Sequence, residues 1–197
     1  SNASSSCDTT YTLPNNQWRQ ISLPCNPGAN NTVSAVFGDD IPGTYNTDWI
    51  LYSYNGSGYP QLSETDTLSQ GSGYWIIQKS GGDVVLSMPD NSTPTPVTQA
   101  SAGCTSSNGC FEIGLDRQPL ESTTWTMIGY PFASSESLGD VRVLNALSHH
   151  EVGGCDYNDN GCDLDTASHN DIVHNTFWTY NGSAYAQVDT SGNLDPW

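Results

Sequence analysis

Short stretches of this chain are rich in large apolar residues, and residues that favour turns separate the stretches. β-branched, leucine and aromatic side chains recur at 11–13, 18–22, 74–77 and 84–88. A period of two is typical of strands that bury one face, whereas the long apolar stretches of period 3.6 that indicate helices are missing. The pattern predicts an all-β protein.

Two short motifs occur twice along the chain. W-x-x-I-x-x-P fits residues 18–24 and 125–131, and Y-N-G-S-x-Y fits residues 54–59 and 180–185. Further positions that match in the same order are Val33 with Leu138, Val36 with Val141, and Leu68 with Leu194. Because aromatic residues flank Asn-Gly, which readily adopts positive φ, the second motif predicts a tight hairpin. The matches predict two related antiparallel β-repeats, sandwich-like or barrel-like.

The repeats predict where the chain divides. Residues 1–6 are predicted to be a flexible N-terminus that begins with Ser-Asn-Ala, the remnant of a removed tag. Residues 7–88 are predicted to form the first repeat. A connector rich in Pro, Ser and Thr spans 89–109, and the second repeat spans 110–197. The second repeat is expected to be incomplete, since the chain reaches Trp197 where the counterpart of G-Y-W-I at 73–76 is due, which leaves an open sheet edge.

Large β-favouring side chains supply a predicted core for each repeat, and two contacting lobes are expected. The first set is Trp18, Ile21, Trp49, Leu51, Tyr74, Trp75 and Ile77. The second set is Trp125, Ile128, Phe177, Trp178 and Tyr180.

Six cysteines in a polar chain without C-x-x-C predict three disulfides and an oxidising compartment. A hairpin of 11–13 with 18–22 would bring Cys7 opposite Cys25. The other two pairs, Cys104 with Cys110 and Cys155 with Cys162, each enclose a segment rich in turn residues. All three bridges are interpreted as staples of the fold.

An insertion distinguishes the second repeat. The distance between matched anchors grows from 107 residues (125 − 18) to 126 (180 − 54), which places about 19 additional residues near 149–171. Within it, oxygen-bearing residues alternate before Gly161, as in the first half of a calcium loop, but Ala167 stands where an EF-hand has Glu. The candidate Ca²⁺ ligands are Asp156, Asn158, Asn160, Asp163 and Asp165. The alternative is a disulfide-closed turn that binds no ion.

Net charge narrows the set of partners. The formal charge is −17 and only four residues are Lys or Arg, so the chain repels polyanions and nucleic acid is excluded as a partner. No apolar run approaches the ~20 residues that span a bilayer, so no membrane insertion is expected within these residues. The four histidines flank the insertion, and their spacing matches no zinc signature. The chain is expected to be a monomer.

The motifs also resemble a known class of protein. The first repeat contains W-x-x-I-S-L-P, V-x-x-V-F-G-D from Val33, W-x-x-Y-x-Y-N-G, and L-x-x-G-x-G-Y-W-I from Leu68. Together they are similar to tryptophan/GYWI-type β-repeat domains of secreted surface proteins of Gram-negative bacteria. The resemblance implies an accessory region of a larger exported protein, with no catalytic residues to transfer.

These observations favour an extracellular, non-catalytic binding or adhesion module, which calcium stabilises. No nucleophile elbow, phosphate-binding glycine loop or metalloprotease helix is present. A glycan or a cell-surface protein is the expected partner, and Tyr45, Tyr59, Tyr157 and Tyr185 are candidates for stacking on sugar rings. A structural spacer and a hydrolase with its site in the insertion stay as alternatives.

Overall fold

The computed structural model describes residues 7–98, 104, 106–115, 125–144, 155, 161–169 and 172–197. Within this part of the chain, regular structure is mostly short antiparallel strands in four small sheets, with few helices. The predicted all-β, disulfide-stapled class is therefore confirmed. No helix of the described residues is long and apolar enough to cross a bilayer.

The chain divides into two compact units. The N-terminal unit holds the described residues of Ala3–Thr95, Glu112–Ser134 and Pro196–Trp197, and the C-terminal unit holds those of Pro96–Phe111 and Ser135–Asp195. Both units are thus discontinuous in sequence. The predicted repeats are continuous segments that were defined by sequence similarity alone. Their boundaries stay predictions.

Five strands build the N-terminal unit. Strand β1 (Thr10–Leu13) pairs antiparallel with β5 (Val84–Ser87). Strands β2 (Arg19–Ile21), β3 (Trp49–Tyr52) and β4 (Tyr74–Gln78) form an antiparallel sheet in the order β2-β4-β3. Central β4 is buried at four of its five residues, as its run of apolar side chains requires.

The predicted hairpin between 11–13 and 18–22 is wrong. Both stretches contain strands, but β1 pairs with β5 and β2 pairs with β4. Partners distant in sequence bury more apolar surface than these two short strands would bury against each other. The predicted bridge between Cys7 and Cys25 is present nonetheless, as are Cys104–Cys110 and Cys155–Cys162.

A short helix, α1 (Val33–Phe37), covers this unit's core. The Thr32 hydroxyl caps it by accepting a hydrogen bond from the Ala35 amide at 3.2 Å. Val33 and Val36, three residues apart, both point inward and are fully buried together with Phe37. Buried neighbours in the same core are Leu13, Ile21, Leu23, Ile41, Leu51, Leu68, Ile76 and Leu86.

Gln78 is the largest polar side chain in the interior, and all of its polar atoms are paired. Its Nε2 donates to the carbonyls of Gly82 and Leu13 at 2.8 and 3.3 Å, and its Oε1 accepts from the amide and hydroxyl of Ser80. Because an unpaired buried amide is costly, this network fixes β4 against β1 and the 80–82 turn.

The C-terminal unit is built from smaller pieces. Strand β6 (Glu136–Ser137) pairs with β9 (Asn193–Leu194), and β7 (Phe177–Tyr180) pairs with β8 (Tyr185–Val188). A 3-10 turn (Leu138–Asp140) follows β6, and helix α2 spans Leu164–His169. Buried residues of this unit are Leu138, Cys155, Cys162, Leu164 and Ala167.

The two predicted sets of core residues differ in how deeply their side chains are buried. Five members of the first set are buried, whereas Trp75 is half-buried and Trp18 is exposed. No member of the second set is buried, and Trp125 and Trp178 are 51% and 46% exposed. The period of two finds strands, but it does not say which face meets the core.

One pair of matched motifs has the same local structure. In the first Y-N-G-S-x-Y motif, the Asn55 amide donates to the Gly58 carbonyl at 3.1 Å; in the second, the Asn181 amide donates to the Ala184 carbonyl at 3.1 Å. Each asparagine Oδ1 accepts from the amides two and three residues later, and each glycine has positive φ. The motif therefore forms the same turn twice.

A second equivalence lies at the aligned leucines. Thr32 bridges to Thr67 just before Leu68, and Ser137 pairs with Asn193 just before Leu194. A short helix starts after each of the two hydroxyl residues. That the two repeats share one fold throughout stays a prediction.

Candidate functional site

A cleft of about 380 Å³ opens on the N-terminal unit. Twelve of the described residues line it, and none of these twelve is charged. Its aromatic and hydroxyl-bearing lining residues are Ser53, Tyr54, Thr67, Ser72, Tyr74, Trp125 and Thr126. Rings together with hydroxyls make this surface suited to a neutral, hydroxylated ligand.

One wall of the cleft is the hairpin that continues β3. The Ser53 amide donates to the Pro60 carbonyl at 3.0 Å, and the turn described above closes at 55–58. The Tyr54 hydroxyl donates to the Gly56 carbonyl at 2.9 Å, and its ring lies 5.1 Å from that of Tyr59. The turn therefore holds the Tyr54 ring in place at the cleft.

A second part of the lining is the segment that starts at Trp125. The Gly73 amide donates to the Met127 carbonyl at 3.2 Å, and the Gly129 amide donates to the Gly71 carbonyl at 2.9 Å. A Cβ on Gly73 would lie 2.8 Å from the Ile128 carbonyl oxygen, so only glycine permits this approach. Backbone pairing thus places the exposed Trp125 ring beside a strand fifty residues earlier.

Tyr74 also lines the cleft and is buried. Its oxygen accepts from the Ser69 amide at 2.8 Å. Burial raises the pKa of Tyr74, so this group stays neutral at physiological pH. In a chain with a net charge of −17, the part of the cleft lining that the structure describes is uncharged.

The structure describes two of the five predicted calcium ligands. Asp163 Oδ1 accepts from the Thr166 amide at 2.7 Å at the start of α2, and hydrogen bonds from Thr166 lower the pKa of that carboxyl. Asp165 accepts from Asn175 Nδ2 at 2.8 Å and from the Thr190 hydroxyl at 3.5 Å. Asp156, Asn158 and Asn160 lie outside the described residues. Among the residues that are described, no group of three His, Cys, Asp or Glu side chains is placed to hold a metal.

The predicted sugar-stacking tyrosines are placed differently from one another. Tyr45 is buried, and its hydroxyl donates to the Leu62 carbonyl at 2.7 Å, so it is a core residue and the prediction is wrong for it. Tyr59 and Tyr185 are each 53% exposed, as stacking requires. Tyr157 lies outside the described residues.

Sequence reasoning missed the cleft because its two walls meet only through long-range pairing. It placed Trp125 in a core, and it did not associate Tyr54 with Trp125. The available signal was Gly71-Ser72-Gly73, since two glycines around a strand start indicate a close backbone approach.

No protein-family model, curated protein or solved structure matches this chain.

Proposed function

We propose that this chain is an extracellular, non-catalytic binding module whose cleft holds a neutral carbohydrate between Tyr54 and Trp125. One observation carries the proposal: the described lining of the cleft is uncharged and includes two accessible rings and several hydroxyls, on a chain that is strongly acidic. Aromatic faces pack against the C–H faces of sugar rings, and hydroxyls exchange hydrogen bonds with sugar hydroxyls.

Charge selects among carbohydrates. Sulfated, phosphorylated or uronic-acid glycans would be repelled by the acidic chain, and the described residues of the cleft lining include no cation to compensate. Neutral hexose polymers meet no such cost. The proposal therefore excludes acidic glycans as the main ligand.

The proposed location is the outside of the cell. Three disulfides fit an oxidising environment, and the resemblance to repeats of Gram-negative surface proteins points the same way. In this setting the module would attach its parent protein to a glycan-bearing surface.

A panel of neutral and acidic polysaccharides, tested by affinity electrophoresis, checks the proposal. We expect retardation by at least one neutral polymer and by no acidic one. Trp125→Ala should weaken the interaction about tenfold, which corresponds to about 1.4 kcal/mol of lost contact.

The matched control is Trp178→Ala, because Trp178 is nearly as exposed as Trp125 but belongs to the C-terminal unit. It should leave retardation unchanged. Equal weakening by both variants, or binding confined to acidic polymers, would contradict the proposed site.

The calcium hypothesis stays a prediction with its own test. We expect millimolar Ca²⁺ to raise the melting temperature, because an ion that binds only the folded chain stabilises it. An unchanged melting temperature would count against the ion without affecting the carbohydrate proposal.

A further inference from the structure

Tyr54, which lines the cleft, also belongs to the sheet that contains β3. The antiparallel pairing of β3 continues past its end, since Tyr52 bridges to Gln61 and the Asn55 amide donates to the Gly58 carbonyl. Side chains two residues apart in such a ladder point to the same face and are separated by about 7 Å along the strand. Tyr52 and Tyr54 therefore lie on one face of the sheet.

This face is turned away from the core. Leu51, next to Tyr52 in β3, is fully buried in the core, so Tyr52 points the opposite way together with its cross-strand partner Trp75. The Trp18 ring, just before β2, lies 5.8 Å from the Tyr52 ring and 6.4 Å from the Trp75 ring. Trp18 is 37% exposed, and the other two rings are half-buried. We call Trp18, Trp75, Tyr52 and Tyr54 the aromatic row.

The strand positions that share this face are uncharged. Within β2, β3 and β4 they are Gln20, Ile50, Tyr52, Trp75 and Ile77. Aromatic rings on an uncharged surface suit the C–H faces of neutral sugars. In a chain with a net charge of −17, the aromatic row thus favours the same class of ligand as the cleft with which it shares Tyr54.

We infer that the ligand is an extended segment of a neutral polysaccharide, several sugar residues long, which lies along the aromatic row as well as in the cleft. The inference rests on the proposed function and extends it from one sugar position to several. Neighbouring rings of the row are separated by 5.8 Å between Trp18 and Tyr52 and by about 7 Å between Tyr52 and Tyr54. These distances are close to the length of one sugar residue, so consecutive sugars would contact consecutive rings, and Trp18 is the exposed end of the row.

Calorimetric titration of the full chain with oligosaccharides of two to six residues tests the inference. The probes are the cello-, xylo-, manno- and malto-oligosaccharides, all of which are neutral. In a series that binds, we expect affinity to rise about tenfold or more from the disaccharide to the pentasaccharide, because the longer ligand reaches the aromatic row.

The outcomes separate this inference from the proposed function. An affinity that is constant across lengths but is weakened by Trp125→Ala would overturn the inference and leave the cleft as the site. Absence of binding by all four series would also overturn the inference, and the polysaccharide panel would then decide the proposed function independently.

Variants of the row localise the additional contacts. Trp18→Ala should weaken pentasaccharide binding about fivefold and leave disaccharide binding unchanged, whereas Trp125→Ala should weaken both. Trp178→Ala, in the other unit, is the control and should change neither. If Trp18→Ala fails to fold by circular dichroism, Trp18→Leu decides, since it keeps an apolar side chain over the sheet but no flat ring. Wild-type affinity of Trp18→Leu for the pentasaccharide, or an equal loss for both lengths, would overturn the inference.

Discussion

Asp40 is a half-buried carboxylate in the segment that follows α1, and it links this segment to β5. Its Oδ2 accepts from the Ser87 amide at 2.6 Å and from the Ser87 hydroxyl at 3.1 Å. Burial raises the pKa of Asp40, and the hydrogen bonds from Ser87 oppose this only in part. The carboxyl therefore binds its proton more tightly in the folded chain than in the unfolded chain.

The sign of the resulting pH dependence follows from that difference. The stabilisation from protonated Asp40 is complete below the unfolded pKa of 3.8 and is lost as pH rises through the raised folded pKa. Asp40→Asn keeps an acceptor for Ser87 without a charge. We expect the melting temperature of the variant minus that of the wild type to increase from about pH 3 to about pH 6. A difference that falls over this range would show that the hydrogen bonds outweigh burial.

Substitution of Gly73 is a second single-residue change whose effect can be predicted. Gly73→Ala places a Cβ 2.9 Å from Met127 Cγ, so the 127–129 segment must shift. We expect a loss of about 1–3 kcal/mol of unfolding free energy in urea denaturation, together with weaker carbohydrate binding.

Gly58→Ala is the control for this substitution. No atom lies within 4 Å of its Cβ position, and the matching residue of the second turn is Ala184. Its stability should equal that of the wild type. A Gly73→Ala variant as stable as Gly58→Ala would contradict the close approach at the cleft.

Among the elements, the disulfides differ in the length of chain that they close. Cys7–Cys25 spans 18 residues and Cys104–Cys110 spans 6. Because a longer loop loses more entropy in the unfolded chain, replacing both members of the first pair by Ser should cost about 3 kcal/mol, and replacing the second pair about 2 kcal/mol. Burial of Cys25 adds to the first loss, since Ser places a hydroxyl in the core.

Chemical denaturation of the two double variants measures the difference. Equal losses would show that loop length does not determine the contribution of these bridges. A larger loss on removing Cys104–Cys110 would contradict the prediction outright.

Across the whole molecule, the path of the chain has an energetic consequence. The chain passes through the C-terminal unit and ends with Pro196–Trp197 in the N-terminal unit, where Trp197 packs against the core of that unit. Its Nε1 is buried without a hydrogen-bond partner among the described residues. The ring thus contributes apolar contact, while its N–H carries a desolvation cost.

Two substitutions at this position separate the ring from its N–H. Trp197→Ala removes the packed ring and should lower the unfolding free energy by about 2 kcal/mol. Trp197→Phe keeps most of the ring contact and removes the unpaired donor, so its loss should be clearly smaller. Urea denaturation compares them, and an Ala variant as stable as the wild type would show that this contact contributes nothing.

Local physics made part of this protein predictable. Short stretches of β-branched, leucine and aromatic residues located β1, β2, β4 and β5, because such side chains favour strands. Y-N-G-S-x-Y specifies its turn through neighbouring residues alone, so the turn recurs at 55–58 and 181–184. The bridge Cys104–Cys110 was predictable because few residues separate its ends.

Long-range pairing settled what those patterns left open. Whether 10–13 pairs with 19–21 or with 84–87 depends on the surface that each arrangement buries, which no short stretch of sequence contains. The cleft arises in the same way, since Gly73 meets Met127 only in the folded chain. By itself, then, the sequence determined four of the strand segments, the tight turns, the two short disulfide loops and the acidic charge. Tertiary structure alone decided the strand partners, the exposed face of each tryptophan and the position of the candidate site, because each depends on competition among distant segments for burial.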